Sequence, residues 1–135
     1  MALSNREEEL IVLKMAVHYH SDYVWKHHVV IGKEVGITEE QFKELQQMPH
    51  VAHKVGDEGC FTCRDMDLIA FTDDFTTLRT VTNETWQTYI RYFKENEIIE
   101  AILVMSHKVF FSLGNNALFV DIEPSLSSIP GLSTA

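Results

Sequence analysis

Apolar residues recur at three- and four-residue intervals along most of this 135-residue chain, and this spacing constrains its fold more than any other feature. Leu10, Leu13 and Val17 fall on one stripe near the N-terminus, as they would on one face of an amphipathic helix. No segment sustains the two-residue alternation that is typical of a half-buried strand. The sequence therefore predicts an all-α fold.

Start and stop signals divide the chain into about six predicted helices. Ser4–Glu7 and Thr38–Gln41 have the form of a capping box, and Gly36 is a natural left-handed end to a helix. The predicted helices cover residues 6–20, 23–35, 39 to before 49, 65–78, 82–93 and 97–119, the last with Asn96 as its N-cap. Residues 48–64 show no period and are predicted to form a long loop.

Length and composition limit the class of protein. A chain of this length is typical of one domain, here residues 1–124, followed by a Ser-, Gly- and Pro-rich tail at 125–135 that we expect to be flexible. The net charge of −9 argues against a nucleic-acid partner and against an anionic membrane surface. We see neither a secretory signal nor a membrane-spanning run, and therefore expect a soluble, cytoplasmic protein.

Residues 21–40 carry the strongest functional signal. His28 shares a helix face with Val24, Trp25 and Gly32, because these residues lie three or four positions apart. A histidine can exchange a proton near neutral pH, since free imidazole titrates at about 6.5. Two interpretations are open: His28 faces a ligand that Gly32 allows to approach, or it is a core histidine and the glycine only permits close helix packing.

Three stretches of the chain resemble the carboxymuconolactone decarboxylase family, a branch of the alkylhydroperoxidase-D-like superfamily. The first is Y-x-W-x-x-H-x-x-x-G-x-x-x-G-I-T-E-E over residues 23–40. The others are DLIAFTDDFTTLRTVTNETWQTY over residues 67–89 and IIEAILVMSHKVFFSLGNNALFVDIEP over residues 98–124. The likeness extends over most of the chain between Glu8 and Glu123.

The resemblance implies a bundle of helices that assembles as a homotrimer or homohexamer, with pockets near the subunit contacts. It places His28 at the pocket, where it would transfer protons as a general acid/base without a cofactor. Tyr23 and Trp25 would line the pocket, and Asp22 or His107 would assist. The substrate would be an oxygenated carbon acid that is decarboxylated, isomerised or rearranged.

This chain also departs from the family pattern. Val24 occupies a position where the family often has a glutamate, four residues before the histidine. Ser21 and Val24 stand where the redox branch has its two cysteines, so we do not expect a dithiol peroxidase. The leading hypothesis is a cofactor-independent small-molecule enzyme. The alternative is a non-catalytic, oligomeric ligand-binding protein on the same scaffold.

Two further clusters lie outside this pattern. His50, His53, Cys60 and Cys63 are zinc-type ligands, although two free thiols and two loop histidines are the simpler interpretation. Asp73, Asp74 and Arg79 are expected on an exposed helix face, with a buried ion pair as the alternative.

Overall fold

The computed structural model describes residues 2–47 and 60–132, and within these ranges it contains six α-helices and no strand. This confirms the predicted all-α bundle. The helices are α1 (Asn5–His18), α2 (Asp22–Glu34), α3 (Glu39–Gln47), α4 (Cys63–Leu78), α5 (Asn83–Tyr92) and α6 (Glu95–Leu118), followed by a 3₁₀ turn at Pro124–Leu126.

Helix α1 is the centre of the bundle and contacts α2, α3, α4 and α6. Its first turn is fixed by the predicted capping box, in which the Ser4 hydroxyl accepts from the Glu7 N–H and the Glu7 carboxylate accepts from the Ser4 N–H. Every residue from Glu9 to Ala16 is buried. The helix therefore has no solvent-facing side along this stretch, and its polar residues need partners inside the protein.

The core divides into two clusters that share α1. The first cluster lies between α1, α2, α3 and one side of α4, and it consists of Leu10, Val12, Leu13, Ala16, Val24, Trp25, Val29, Ile37, Phe42, Leu45, Phe61 and Ile69. The second lies between α1, α4, α5 and α6 and consists of Leu3, Ile11, Met15, Leu68, Phe71, Tyr89, Phe93, Ala101 and Met105. Alternate faces of α1 thus hold the two halves of the molecule together.

The start and stop signals in the sequence predicted most helix ends correctly, and three predictions need correction. Gly36 has the expected positive φ of 99°, and Thr38 and Gln41 form the predicted capping box. Helix α1 ends at His18, two residues earlier than predicted, and α4 begins at Cys63 because Thr62 is its N-cap.

The third correction concerns α6, whose N-cap is Lys94 and not Asn96. The Lys94 N–H donates to the Glu97 carboxylate at 2.8 Å, and Glu97 is also bound by Arg64 from α4. This ion pair between distant parts of the chain favours the earlier start.

The apolar stripe that helical spacing predicts along α6 is only partly buried; it consists of Ile98, Ala101, Ile102, Met105, Val109 and Leu113. Ala101 and Met105 lie in the core, but Ile102 and Leu113 are exposed. The outer face of α6 carries further exposed apolar side chains, namely Ile99, Leu103, Phe110, Phe111 and Leu118. We call this set, with Ile102 and Leu113, the α6 apolar face.

The expectation that Asp73 and Asp74 lie on an exposed face is wrong. The Asp73 carboxylate is 1% exposed and lies 2.5 Å from His18 Nε2 and 3.7 Å from the buried Lys14 Nζ. Asp74 accepts hydrogen bonds from the N–H and hydroxyl of Thr82. The alternative of a buried ion pair therefore holds for Asp73, whereas Arg79 is exposed.

The segment after α6 returns to the bundle. Ile129 and Leu132 pack against the first cluster, and the Leu132 N–H donates to Asp22 Oδ1 at 2.8 Å. The flexibility expected of residues 125–135 stays a prediction. No helix within the described ranges is long and apolar enough to cross a membrane.

We predict that Asp73→Ala lowers the free energy of unfolding by about 3 to 5 kcal/mol, because it leaves Lys14 buried without its counter-charge. Chemical denaturation measures this change. The control is Asp121→Ala, which removes an exposed carboxylate and should change the free energy by less than about 0.5 kcal/mol. Equal effects of the two substitutions would contradict the assigned role of Asp73.

Candidate functional site

His28 is paired with a carboxylate from another helix. Its Nδ1 lies 2.6 Å from Oε2 of Glu9 in α1. Both side chains are largely but not completely buried, with 16% of the His28 side chain and 12% of the Glu9 side chain exposed. His28 is therefore neither a fully buried core histidine nor a fully exposed one, and its Nδ1 is bound by a carboxylate.

The His28–Glu9 pair lies at the edge of the first cluster, because each residue shares a helix face with members of that cluster. Glu9 shares a face of α1 with Val12 and Leu13, and His28 shares a face of α2 with Val24 and Trp25. These apolar residues fix the two backbones against each other. The pair is held by packing on both sides and not only by its own hydrogen bond.

The contact sets the chemistry that the imidazole can perform. A carboxylate that accepts from Nδ1–H holds the ring in one tautomer and orientation, and leaves Nε2 to accept or donate a proton. His28 Nε2 has no hydrogen bond to any side chain or backbone group in residues 2–47 and 60–132. The contact therefore fixes the orientation of the imidazole and leaves one ring nitrogen without a partner among these residues.

Trp25 and Gly32 are buried where α2 packs against α3. Trp25 is 2% exposed and makes an edge-to-face contact with Phe42 at 6.2 Å between ring centroids. A Cβ at Gly32 would lie 3.1 Å from the Phe42 ring. The glycine thus permits close approach of α3, which supports the packing interpretation, while the pocket-lining role of both residues stays a prediction.

Tyr23 and Asp22 hold the C-terminal segment. The Tyr23 ring packs at a tilt against the His27 ring, with 4.4 Å between the ring centroids, and His27 Nε2 lies 2.7 Å from the Glu123 carboxylate. The carboxylate of Asp22 accepts from the Leu132 N–H. His27 and Asp22 therefore have partners other than Glu9, and the structure does not bring them into contact with His28.

Helix α6 carries His107, which was expected to assist at the site, and Lys108 next to it. His107 is exposed and packs against Phe111 at 4.7 Å between ring centroids. Lys108, the next residue, is half-buried, and burial lowers the pKa of its ammonium while the Glu9 carboxylate raises it. The net effect is a lowered pKa of Lys108, and the sequence analysis did not single out this residue.

Glu8, the residue before Glu9, is paired with the carboxyl group of Glu100 in α6. Burial, followed by a hydrogen bond to Glu100, raises the pKa of Glu8 to about 7. The hydrogen bond from Glu8 lowers the pKa of Glu100, whose Oε2 also accepts from the N–H groups of Ala2 and Leu3. Glu8 therefore retains a proton well above the ordinary range of a carboxyl.

Only two of the four possible zinc ligands, Cys60 and Cys63, lie within the described residues. Cys60 is half-buried and Cys63 is exposed, and both are free thiols. His50 and His53 lie outside the described residues. Among residues 2–47 and 60–132, no group of three or more histidine, cysteine, aspartate or glutamate side chains could hold a metal ion.

An open apolar pocket of about 500 Å³ lies between α5 and the start of α6. It is lined by Trp86, Ile90, Phe93, Glu95, Ile98 and Ile99. None of the site residues expected from the sequence belongs to this pocket.

Sequence comparisons give no match: no family model and no curated protein is similar to this chain. A solved structure from Agrobacterium tumefaciens does match, with a TM-score of 0.78 over 90% of this chain and 80% of that one, at 14% identity. That protein is of unknown function and carries a provisional name, AhpD, in antioxidant defence. The chain has the alkylhydroperoxidase-D-like fold.

This fold agrees with the superfamily resemblance found in the sequence. The carboxymuconolactone decarboxylase branch stays a prediction, because a likeness at 14% identity establishes the fold alone.

The folded protein should lose stability as the pH rises from 4.5 to about 7, because Glu8 keeps a proton there that the unfolded chain releases. Glu8→Gln should flatten this part of the curve of unfolding free energy against pH. Glu84→Gln, which changes an exposed carboxylate on α5, is the control. An unchanged slope in Glu8→Gln would contradict the shared proton.

Proposed function

We propose that this protein is a cofactor-independent lyase or isomerase in which His28 is the general acid/base and Glu9 orients it. The observation that carries the proposal is the 2.6 Å contact between His28 Nδ1 and Glu9 Oε2 at the rim of the core. A positioned imidazole of this kind contributes about 10²- to 10⁴-fold to the rate of a proton transfer.

The proposed step is a proton transfer at carbon. His28 Nε2 removes a proton from a carbon next to a carbonyl, or returns one to the carbanion that remains after loss of CO₂. The imidazolium that forms in the first case is stabilised by the Glu9 carboxylate. In this proposal Glu9 of α1 provides the carboxylate that the family often has at the position of Val24. The acid/base pair is therefore retained although the family glutamate is absent.

We also propose that the protein works as a cytoplasmic homotrimer or homohexamer. The support is the α6 apolar face, on which Leu103 is 65% and Phe110 75% exposed. A monomer rarely leaves so many large apolar side chains together on its surface.

His28→Gln should reduce turnover by at least about 100-fold, and Glu9→Gln by a smaller factor, because the first removes the acid/base and the second only its orientation. The measurement is deuterium incorporation from D₂O, followed by proton NMR, into a panel of lactone acids and β-keto acids. His27→Gln, a histidine on the same helix that binds Glu123, is the matched control.

Full activity of His28→Gln would exclude the acid/base assignment. If the unaltered protein binds a panel member tightly and exchanges no proton, the non-catalytic ligand-binding alternative holds instead.

Phe110→Glu should dissociate the assembly to monomers, because it places a charge in the middle of the α6 apolar face. Analytical ultracentrifugation measures the mass. Leu78→Glu changes a side chain of 51% exposure on α4 and should leave the mass unaltered. A monomeric unaltered protein would contradict the proposed assembly.

A further inference from the structure

Six residues on the outside of α6 recur at alternating intervals of four and three residues. We call them the α6 seam: Ile99, Leu103, Ser106, Phe110, Leu113 and Ala117. This seven-residue period is the one by which two helices pack along their length, with the side chains of one between those of the other. All six side chains are exposed and none carries a charge. The seam therefore has the spacing and composition of a helix–helix contact, and no helix in the described part of the chain covers it.

The seam lies opposite the side of α6 that faces the bundle. Ala101, Met105 and Ser112 are fully buried on that inner side. Gly114 lies next to the seam inside the helix, where glycine is unfavourable, and a Cβ built there meets no atom of the described chain within 4 Å. The space that this glycine leaves is thus not used by a neighbouring helix of the same described residues.

The sizes of the seam residues match those of a second seam that runs antiparallel. A two-fold axis at the level of Lys108 places Phe110 of one copy opposite Ser106 of the other, because the two lie equally far from that level. The other facing pairs are Leu103 with Leu113 and Ile99 with Ala117. The bulkiest seam residue thus faces a small one, and every layer contains a large apolar side chain, as in a well-packed core. In a parallel pair, Ser106 would face Ser106 and Phe110 would face Phe110.

The charges on α6 favour the same direction. Its three acidic residues, Glu95, Glu97 and Glu100, all lie in the first two turns of the helix. A parallel pair would bring each acid close to its own copy, where like charges repel. An antiparallel pair places these turns beside the C-terminal half of the other α6, which contains no acidic residue. It also brings together the opposite ends of two helix dipoles.

We propose that the α6 seam binds the seam of a second copy, with the two helices antiparallel about a two-fold axis at the level of Lys108. This inference rests on the assembly proposed above and deepens it, because it names the occupant of the α6 apolar face and the symmetry of the contact. A homotrimer has no two-fold axis, so the contact selects the homohexamer from the two proposed assemblies.

Disulfide cross-linking tests the facing pairs in full-length protein that carries Cys60→Ser and Cys63→Ser, so that no native thiol remains. A chain with Leu103→Cys is co-expressed with a chain with Leu113→Cys and oxidised with glutathione disulfide. The mixed dimer should be the main covalent product, because a disulfide forms only where two Cα atoms lie within about 7 Å. The absence of covalent dimers would overturn the inference, and so would Leu103→Cys chains that link mainly to themselves, as in a parallel pair.

A chain with both substitutions distinguishes a closed pair from a head-to-tail contact. Leu103→Cys and Leu113→Cys in one chain should give covalent dimers and nothing larger, because both disulfides join the same two copies. Covalent trimers and longer species on a non-reducing gel would show a head-to-tail contact and overturn the two-fold axis.

An exchange of side chains tests the size match. Ser106→Phe should weaken association at least about tenfold in analytical ultracentrifugation, because it overpacks the layer that contains Phe110. Adding Phe110→Ser to the same chain should restore most of the affinity, since the exchanged pair keeps its total volume. Ser128→Phe, at an exposed serine outside α6, is the matched control. Unweakened association of Ser106→Phe, or no rescue by Phe110→Ser, would contradict the facing of these residues.

Cross-linking in a His28→Gln background separates this inference from the acid/base assignment. Cross-linked dimers with full turnover would overturn the role of His28 and support the seam contact. An oligomer that does not cross-link through Leu103→Cys and Leu113→Cys would overturn the seam contact and leave the role of His28 unaffected. A monomeric unaltered protein would overturn both the seam contact and the proposed assembly.

Discussion

The burial of α1 on all sides is the constraint on which the rest of this structure depends. Four other helices pack around α1, and its residues from Glu9 to Ala16 have almost no contact with solvent. A charged group in such a place is stable only with a partner of opposite charge or a set of hydrogen bonds. The polar residues of α1 therefore select residues on the surrounding helices: Lys14 is held by Asp73 of α4 and by the Leu45 carbonyl of α3.

The candidate site follows from the same requirement. Glu9 lies on the side of α1 that faces α2, and its partner there is His28. A contact that satisfies a buried carboxylate also orients an imidazole and leaves its second nitrogen unoccupied. The requirement that stabilises the buried carboxylate thus also fixes the position of the imidazole.

The sequence predicted the structural features that depend only on residues close together along the chain. The capping boxes at Ser4 and Thr38 and the left-handed Gly36 are local signals, and the structure contains all three. Partners across the bundle have no such signal. Glu9 could have been noticed as an acid on the same helix face as Leu13, but its pairing with a residue 19 positions later depends on how α1 and α2 pack. The exposure of the α6 apolar face was missed for a related reason, because a periodic pattern does not show how many sides of a helix are covered within one chain.

The tautomer of His28 tests the central claim, that Glu9 orients this imidazole, most directly. Nitrogen-15 NMR of the histidine ring distinguishes a proton on Nδ1 from a proton on Nε2. The account predicts that neutral His28 carries its proton on Nδ1, and that Glu9→Gln weakens this preference while the His27 ring signals stay unchanged. A His28 ring protonated on Nε2, or one that does not respond to Glu9→Gln, would contradict the account.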